Sequence, residues 1–101
     1  MVVENKIHPA KLERIADILR VIAHPVRLEI LELLKEYGEL SVAKMQEALA
    51  REQAQISQHL IKMKDKRILA SRRDGRRIYY RIAIPELLEV LRCMQRCNIE
   101  Y

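Results

Sequence analysis

The sequence predicts a mostly α-helical domain with one small β-hairpin, placed between the fourth and the last of five helices. The chain has 101 residues, of which 50% are hydrophobic and 4% aromatic, with no Phe or Trp. Over most of its length, apolar residues recur three and four positions apart, the spacing of helices buried on one face. Around Asp74-Gly75 this spacing gives way to alternation, which is typical of strands. A chain of this length is expected to form one domain over residues 1–101.

Two helices are predicted in the first third of the chain. The first runs from Lys11 to Ala23, with apolar residues at helical spacing. His24-Pro25 interrupts it, and Pro25 suits the first position of a second helix because its missing N–H has no partner there in any case. The second helix is expected to reach about Glu36. Gly38 is expected to end it, because glycine adopts the left-handed conformation found after many helices.

The next two helices are predicted to be joined by a tight turn. Ser41 can cap a short third helix that reaches about Ala50. A turn at Arg51-Glu52 leads to a fourth helix, predicted over Gln53–Lys66. The buried stripe of the fourth helix is predicted to comprise Ile56, Leu60 and Met63. Its opposite face is polar.

A β-hairpin and a last helix complete the predicted fold. Residues 67–73 and 76–82 flank Asp74-Gly75, and an Asp-Gly pair between two strand-like runs is a strong hairpin signal. In the second strand, alternate residues are expected to face the core, namely Ile78, Tyr80 and Ile82. Pro85 is expected to begin the last helix. Its apolar stripe is predicted to comprise Leu87, Leu88, Leu91 and Met94 and to extend to about Asn98.

The positive charge is concentrated in one segment. The whole chain has a net charge of +5 and an isoelectric point of about 9.5. Between Lys62 and Arg81 nine basic residues face two acidic ones, a net charge of +7, while the other 81 residues carry 10 basic and 12 acidic groups, a net charge of −2. Charges of a single sign cannot neutralise one another, so this segment is expected to bind a polyanion.

Together these elements describe a winged helix-turn-helix, in which the β-hairpin is the wing. The third helix braces the fourth, which is slim enough to enter the major groove of double-stranded DNA. Gln55 or Gln58 can pair with adenine, and arginines at the hairpin tip can contact the DNA backbone or minor groove. The predicted DNA-binding residues are Gln53, Gln55, Ser57, Gln58, His59 and Lys62 on the fourth helix and Arg72, Arg73, Arg76 and Arg77 on the wing.

Two stretches of the chain resemble the ArsR/SmtB family of bacterial winged-helix repressors. They are AHPVRLEILELLKEYGELSVAKMQEAL and QAQISQHLIKMKDKRILASRRDGRRIYYRI, within a resemblance that runs from about Ile15 to Met94. The resemblance implies a homodimer joined through the first and last helices, an inverted-repeat operator near a promoter, and release of the operator when an effector binds. The amphipathic first and last helices agree with such an interface, since a small domain gains from sharing its core.

The effector is less well defined by the sequence. Family members that sense metal through the third helix carry cysteines there, whereas this chain has Ser41 and Ala43. Other members bind zinc through Asp and His residues of the last helix, and the last helix of this chain has no histidine. The remaining candidates are Cys93 and Cys97, whose four-residue spacing predicts one helix face. We interpret the pair either as a thiol switch or soft-metal or arsenite site, or as two small residues buried in the interface. A regulator without any small-molecule effector is a third alternative, and no other cofactor is expected.

Several function classes disagree with the sequence. No two of the three serines, three aspartates and three histidines have a spacing that suggests a nucleophile and its base, so the chain is not expected to be an enzyme. The longest charge-free run has nine residues, too few to span a membrane, and the N-terminal residues do not resemble a signal peptide, so a cytoplasmic location is expected. The alternative function is a winged-helix protein-interaction module whose basic wing binds an acidic partner.

Overall fold

Five helices surround a three-stranded antiparallel sheet in this computed structural model, which describes residues 6–100. The elements are α1 (Pro9–Ile22), α2 (Pro25–Tyr37), β1 (Glu39–Ser41), α3 (Val42–Leu49), α4 (Gln53–Asp65), β2 (Leu69–Asp74), β3 (Arg77–Ile82) and α5 (Pro85–Gln95). The predicted order of five helices with a hairpin before the last is confirmed. The strand β1 is an addition that the sequence did not predict.

The helices begin and end at residues whose chemistry explains the boundary. α1 begins at Pro9, two residues before the predicted start, because His8 caps it: the His8 Nδ1 accepts a hydrogen bond from the backbone N–H of Ala10 at 3.1 Å. α2 ends as predicted at Gly38, whose φ of +80° is the left-handed conformation that favours glycine. The Ser41 hydroxyl caps α3 as predicted, accepting from the N–H of Lys44 at 3.2 Å.

The end of α4 carries a non-glycine residue in a left-handed conformation. Arg67 has a φ of +60°. Its N–H donates to the carbonyl of Lys64, and the N–H of Ile68 donates to the carbonyl of Met63. These two bonds form a Schellman motif, which usually places glycine at the position that Arg67 holds. The motif turns the chain directly from α4 into β2.

The sheet has the order β1-β3-β2, so the short strand β1 covers the outer edge of β3. Leu40 of β1 pairs with Tyr80. In the hairpin Asp74 pairs with Arg77, which leaves the two-residue loop Gly75-Arg76. The predicted tip at Asp74-Gly75 was therefore one residue too early. Gly75 has a φ of +62°, as a two-residue hairpin loop requires at its first position.

The core lies between α2, α3, α4 and the sheet. Its fully buried side chains are Ile30, Leu31, Leu34, Met45, Ile56, Leu60, Met63 and Ile68. The predicted stripe of α4 is thus confirmed. On β3, Tyr80 is 6% exposed, while Ile78 and Ile82 are half-buried against the same cluster. Within the described residues no helix is both long and apolar enough to cross a membrane.

Candidate nucleic-acid interface

The buried stripe of α4 fixes which side chains this helix presents to solvent. Successive residues of a helix are rotated by about 100°, so the face opposite the stripe carries Ala54, Gln58, Ile61 and, in the last turn, Asp65, with Gln55 and Lys62 beside it. All of them are exposed, and Ile61 is 51% exposed. This face, which we call the outer face of α4, contains two apolar residues, Ala54 and Ile61, that are not among the predicted DNA-binding residues. Their helical phase relative to the buried stripe is the signal in the sequence that identifies them.

The other predicted residues of α4 lie at its edges. Gln53 is exposed at the start of the helix, and Ser57 is half-buried on the flank. Glu52, the N-cap residue, makes no side-chain cap hydrogen bond, so the first turn of α4 has backbone N–H groups free of a side-chain partner. A phosphate group fits such a helix start.

His59 does not share the outer face, contrary to the prediction. It is half-buried on the side of α4 that faces α2, where its Nδ1 accepts a hydrogen bond from Arg27 Nε at 3.1 Å. Its ring centroid lies 4.6 Å from that of His24. Burial lowers the pKa of His59, and the neighbouring charges of His24, Arg27, Lys62 and Arg51 lower it further. A histidine held in this way is not available as an outward base reader in this conformation.

The wing carries its four predicted arginines in two different situations. Arg73, Arg76 and Arg77 are exposed, and none of them forms an ion pair with another residue between 6 and 100. They are free to neutralise a polyanion. We refer to these three residues as the free arginines of the wing.

Arg72, in contrast, already has a partner in the protein. Its guanidinium binds the Glu39 carboxylate with Nη2–Oε1 and Nε–Oε2 distances of 2.7 and 3.0 Å, and lies 4.4 Å above the ring of Tyr79. The hydrogen bond from Arg72 is the main reason why the pKa of Glu39 is lowered. Arg72 therefore joins β2 to β1 across β3. This pair could not be predicted from the sequence, because Glu39 belongs to the unpredicted strand β1.

Two further helices carry exposed apolar side chains. The side chains of Leu12, Ile15 and Leu19 form a stripe along α1, and Leu19 is 51% exposed. Val90 and Met94 of α5 are one helical turn apart and 44% exposed each. These five residues, the apolar stripes of α1 and α5, lie on the two helices for which a dimer interface was predicted.

The two cysteines are exposed, but they do not share a helix face as predicted. Cys93 lies in α5, whereas Cys97 follows the end of that helix at Gln95. The Cys97 N–H donates to the carbonyl of Met94, three residues earlier, at 3.1 Å, which is the spacing of a 3-10 turn rather than of an α-helix. Among residues 6–100, no group of three or more His, Cys, Asp or Glu side chains is placed to hold a metal ion.

Two helices joined by a short turn, followed by a basic hairpin that packs against the second of them, define the class of winged helix-turn-helix DNA-binding proteins. Comparison with known proteins supports this class. A family model described as a helix-turn-helix domain matches residues 22–72. The transcriptional repressor PagR of Bacillus anthracis is 36% identical over 92 residues, which cover 91% of this chain and 92% of that protein. The arsenical resistance operon repressor of Escherichia coli is 35% identical over 67 residues, or 66% of this chain and 57% of that protein.

Solved structures show the same fold. The crystal structure of PagR matches with a TM-score of 0.80 at 34% identity, over 86% of this chain and 99% of that one. A solution structure from Mycobacterium bovis, described as a homodimeric winged helix-turn-helix DNA-binding domain, matches with a TM-score of 0.75 at 29% identity, over 94% and 87% of the two chains. The chain belongs to the ArsR/SmtB family of winged helix-turn-helix repressors. It is a DNA-binding regulator, and this membership confirms the expectation that it is not an enzyme.

Proposed function

We propose that the protein is a transcriptional repressor that binds an inverted-repeat operator in double-stranded DNA as a homodimer. The observation that carries the proposal is that the exposed, glutamine-bearing outer face of α4 occurs together with the free arginines of the wing, which have no ion-pair partner among residues 6–100. The first feature suits base recognition, and the second suits contact with phosphates.

In this proposal α4 enters the major groove and reads bases with its outer face. The side-chain amides of Gln55 and Gln58 each donate to N7 of an adenine and accept from its N6 amino group. Ala54 and Ile61 contact the methyl groups of thymines beside them, since apolar side chains recognise that group. Lys62 neutralises a phosphate at the groove edge. Gln53 and Ser57, at the edges of the helix, contact the backbone.

The wing supplies affinity rather than sequence preference. Arg73, Arg76 and Arg77 reach the phosphates or the minor groove next to the half-site read by α4. Arg72 contributes indirectly, because its bonds to Glu39 hold β2 against the rest of the sheet.

The homodimer is supported by the apolar stripes of α1 and α5. Each stripe leaves large apolar side chains exposed that a second copy can bury, and a domain of this size gains stability from sharing its core. Two-fold symmetry of the dimer requires an inverted repeat in the operator. Leu19→Glu is expected to give monomers in sedimentation experiments, whereas Tyr37→Glu, at an exposed position of α2, is expected to leave the dimer intact.

The proposed function is tested by titrating duplex DNA from the gene's own promoter region. Wild-type protein is expected to prefer one site over scrambled DNA of equal length. Gln58→Ala is expected to reduce that preference by roughly 1–3 kcal/mol, the value of one bidentate base contact. Asn98→Ala, which removes an exposed amide outside the interface, is the matched control. Wild-type binding that ignores sequence would overturn the proposal, and binding of acidic peptides in preference to DNA would favour a protein-interaction module instead.

Release by an effector is the remaining part of the proposal. We propose that Cys93 and Cys97 respond to oxidants, arsenite or a soft metal ion in the cytoplasm, and their exposure supports access of such reagents. DNA affinity is expected to fall after treatment with diamide or arsenite and to be unaffected in a protein with both Cys93→Ser and Cys97→Ser. Equal responses of the two proteins would overturn the thiol hypothesis.

A further inference from the structure

Arg27 connects three helices, and the contacts proposed above do not use it. It lies near the start of α2 and is half-buried. Its Nη1 donates to the carbonyl of Val21 in the last turn of α1 at 2.6 Å. Its Nε donates to Nδ1 of His59 in the middle of α4 at 3.1 Å. One guanidinium thus joins the proposed dimer helix α1 to the helix proposed to read the operator.

The bond to α1 satisfies a group that the helix itself leaves open. The last four carbonyls of a helix have no partner within it, and Val21 supplies one of them in α1. The positive charge of Arg27 also stands at the negative end of the α1 dipole, which favours this placement. The bond to the Val21 carbonyl therefore fixes the position of the guanidinium, from which its Nε donates to His59.

The bond to α4 defines the protonation state of His59. A ring nitrogen accepts from Arg27 only when it carries no proton, so His59 is neutral with its proton on Nε2. The ring of His24 beside it is also held by a hydrogen bond, because its Nδ1 accepts from the N–H of Val26 at 3.2 Å. Positive charges from Arg51, Lys62 and Arg27 face His59 and also favour the neutral ring.

We infer that Arg27 is a positioning residue that sets the orientation of α4 relative to α1 and thereby the affinity for the operator. This inference rests on the proposed function. His59 directly follows Gln58 of the outer face, so a rotation of α4 about its axis that breaks the Arg27–His59 bond also turns Gln58 away from its base. Only arginine suits the position, because its planar fork offers two donors at a fixed separation and lysine offers a single point of charge.

The first experiment measures operator affinity of Arg27→Lys, with Arg96→Lys as the matched control at an exposed position after α5. Arg27→Lys keeps the charge and is expected to retain the fold by circular dichroism, yet to bind the operator about tenfold more weakly, the equivalent of one lost charge-assisted hydrogen bond. Arg96→Lys is expected to bind as wild type does. Equal affinity of the two variants, or a loss that only follows unfolding, would overturn the inference.

Variants of the histidine test whether the hydrogen bond is responsible. In His59→Asn the amide oxygen takes the place of Nδ1 and still accepts from Arg27, so affinity is expected to stay near that of wild type. His59→Leu has no acceptor and is expected to lose about tenfold, and adding Arg27→Lys to it is expected to change little further. Equal losses in His59→Asn and His59→Leu, or losses that multiply in the double variant, would overturn the positioning role.

A measurement without DNA separates this inference from the proposed function. Nitrogen-15 NMR of the free wild-type protein is expected to show an unprotonated Nδ1 on His59 at neutral pH, and Arg27→Lys is expected to shift this signal together with amides along Gln53–Asp65. Shifts confined to α2 would overturn the inference whether or not the wild type binds DNA. A wild type that binds no DNA but shows the α4 shifts would instead overturn the proposed function alone.

Discussion

Replacing Arg76 and Arg77 with alanine is expected to weaken binding to every DNA sequence by a similar factor. Both side chains are exposed at the wing, Arg76 in the two-residue loop and Arg77 at the start of β3. Neither forms an ion pair within residues 6–100, so each has its full charge available to a phosphate. Since phosphates look alike in all sequences, the two substitutions are expected to leave sequence preference unchanged.

The expected magnitude follows from the release of counterions. Each neutralised phosphate of B-DNA contributes about −0.9 to the slope of log K against log salt concentration. The proposed homodimer has two wings, so the double substitution removes up to four phosphate contacts and makes the slope shallower by about 3.6. Between about 50 and 200 mM salt, the wild type is then expected to lose about 150-fold more affinity than the variant.

The assay is a series of fluorescence anisotropy titrations of a labelled operator duplex at increasing salt concentration. Arg96→Ala serves as the control for loss of an exposed cation away from the wing. An unchanged slope for the double variant, or an equal change for Arg96→Ala, would refute the placement of the wing on the phosphates. A change in sequence preference would show that these arginines read bases.

Three further predictions concern stability. Leu34→Ala removes a side chain that is only 1% exposed, and it is expected to lower the free energy of unfolding by about 2–5 kcal/mol, measured by urea denaturation. Leu12→Ala, at an exposed position, is the control and is expected to change the free energy of unfolding of the monomer far less. Arg67→Gly relieves a left-handed backbone conformation and is expected to raise the free energy of unfolding by about 1 kcal/mol, seen as a higher melting temperature. A lower melting temperature would contradict this explanation. The pKa of His59 lies below its usual 6.5, so near that pH the unfolded chain binds more protons than the folded one. The stability that His59 contributes above pH 6.5 is therefore expected to be lost as the pH falls below 6.5. A urea midpoint that changes with pH in His59→Asn as much as in the wild type would contradict this.

The helices and the hairpin could be predicted from the sequence because their signals are local. The stripe of Ile56, Leu60 and Met63 repeats at the period of the helix and matches the buried residues of α4. The Asp74-Gly75 pair and the alternation of Ile78, Tyr80 and Ile82 located the hairpin loop to within one residue, whereas the first strand begins two residues later than predicted, at Leu69. In each case, the residues that carry the pattern lie within one element.

Features that depend on distant residues could not be found in this way. The strand β1 has three residues, too few to show alternation, and it forms only because β3 offers a free edge. The partner of Arg72 is Glu39, 33 positions away in the chain and brought close by that strand. The contact between His59 and Arg27, 32 positions away, likewise has no local signal in the sequence. A local pattern tells which side chains are polar but not which polar partner they meet.

The contacts between α1 and α4 bear on how the operator is read. Arg14 of α1 donates to the carbonyl of Lys66 at the end of α4 at 2.7 Å, and Asp17 of α1 pairs with the Lys66 ammonium at 3.3 Å. Through Arg27, the last turn of α1 also holds the middle of α4. In the proposed dimer, α1 therefore contributes one face to the interface and positions α4 with other side chains. The separation of the two α4 helices, which must match half-sites about 34 Å apart on DNA, is then set by α1 rather than by a flexible linker.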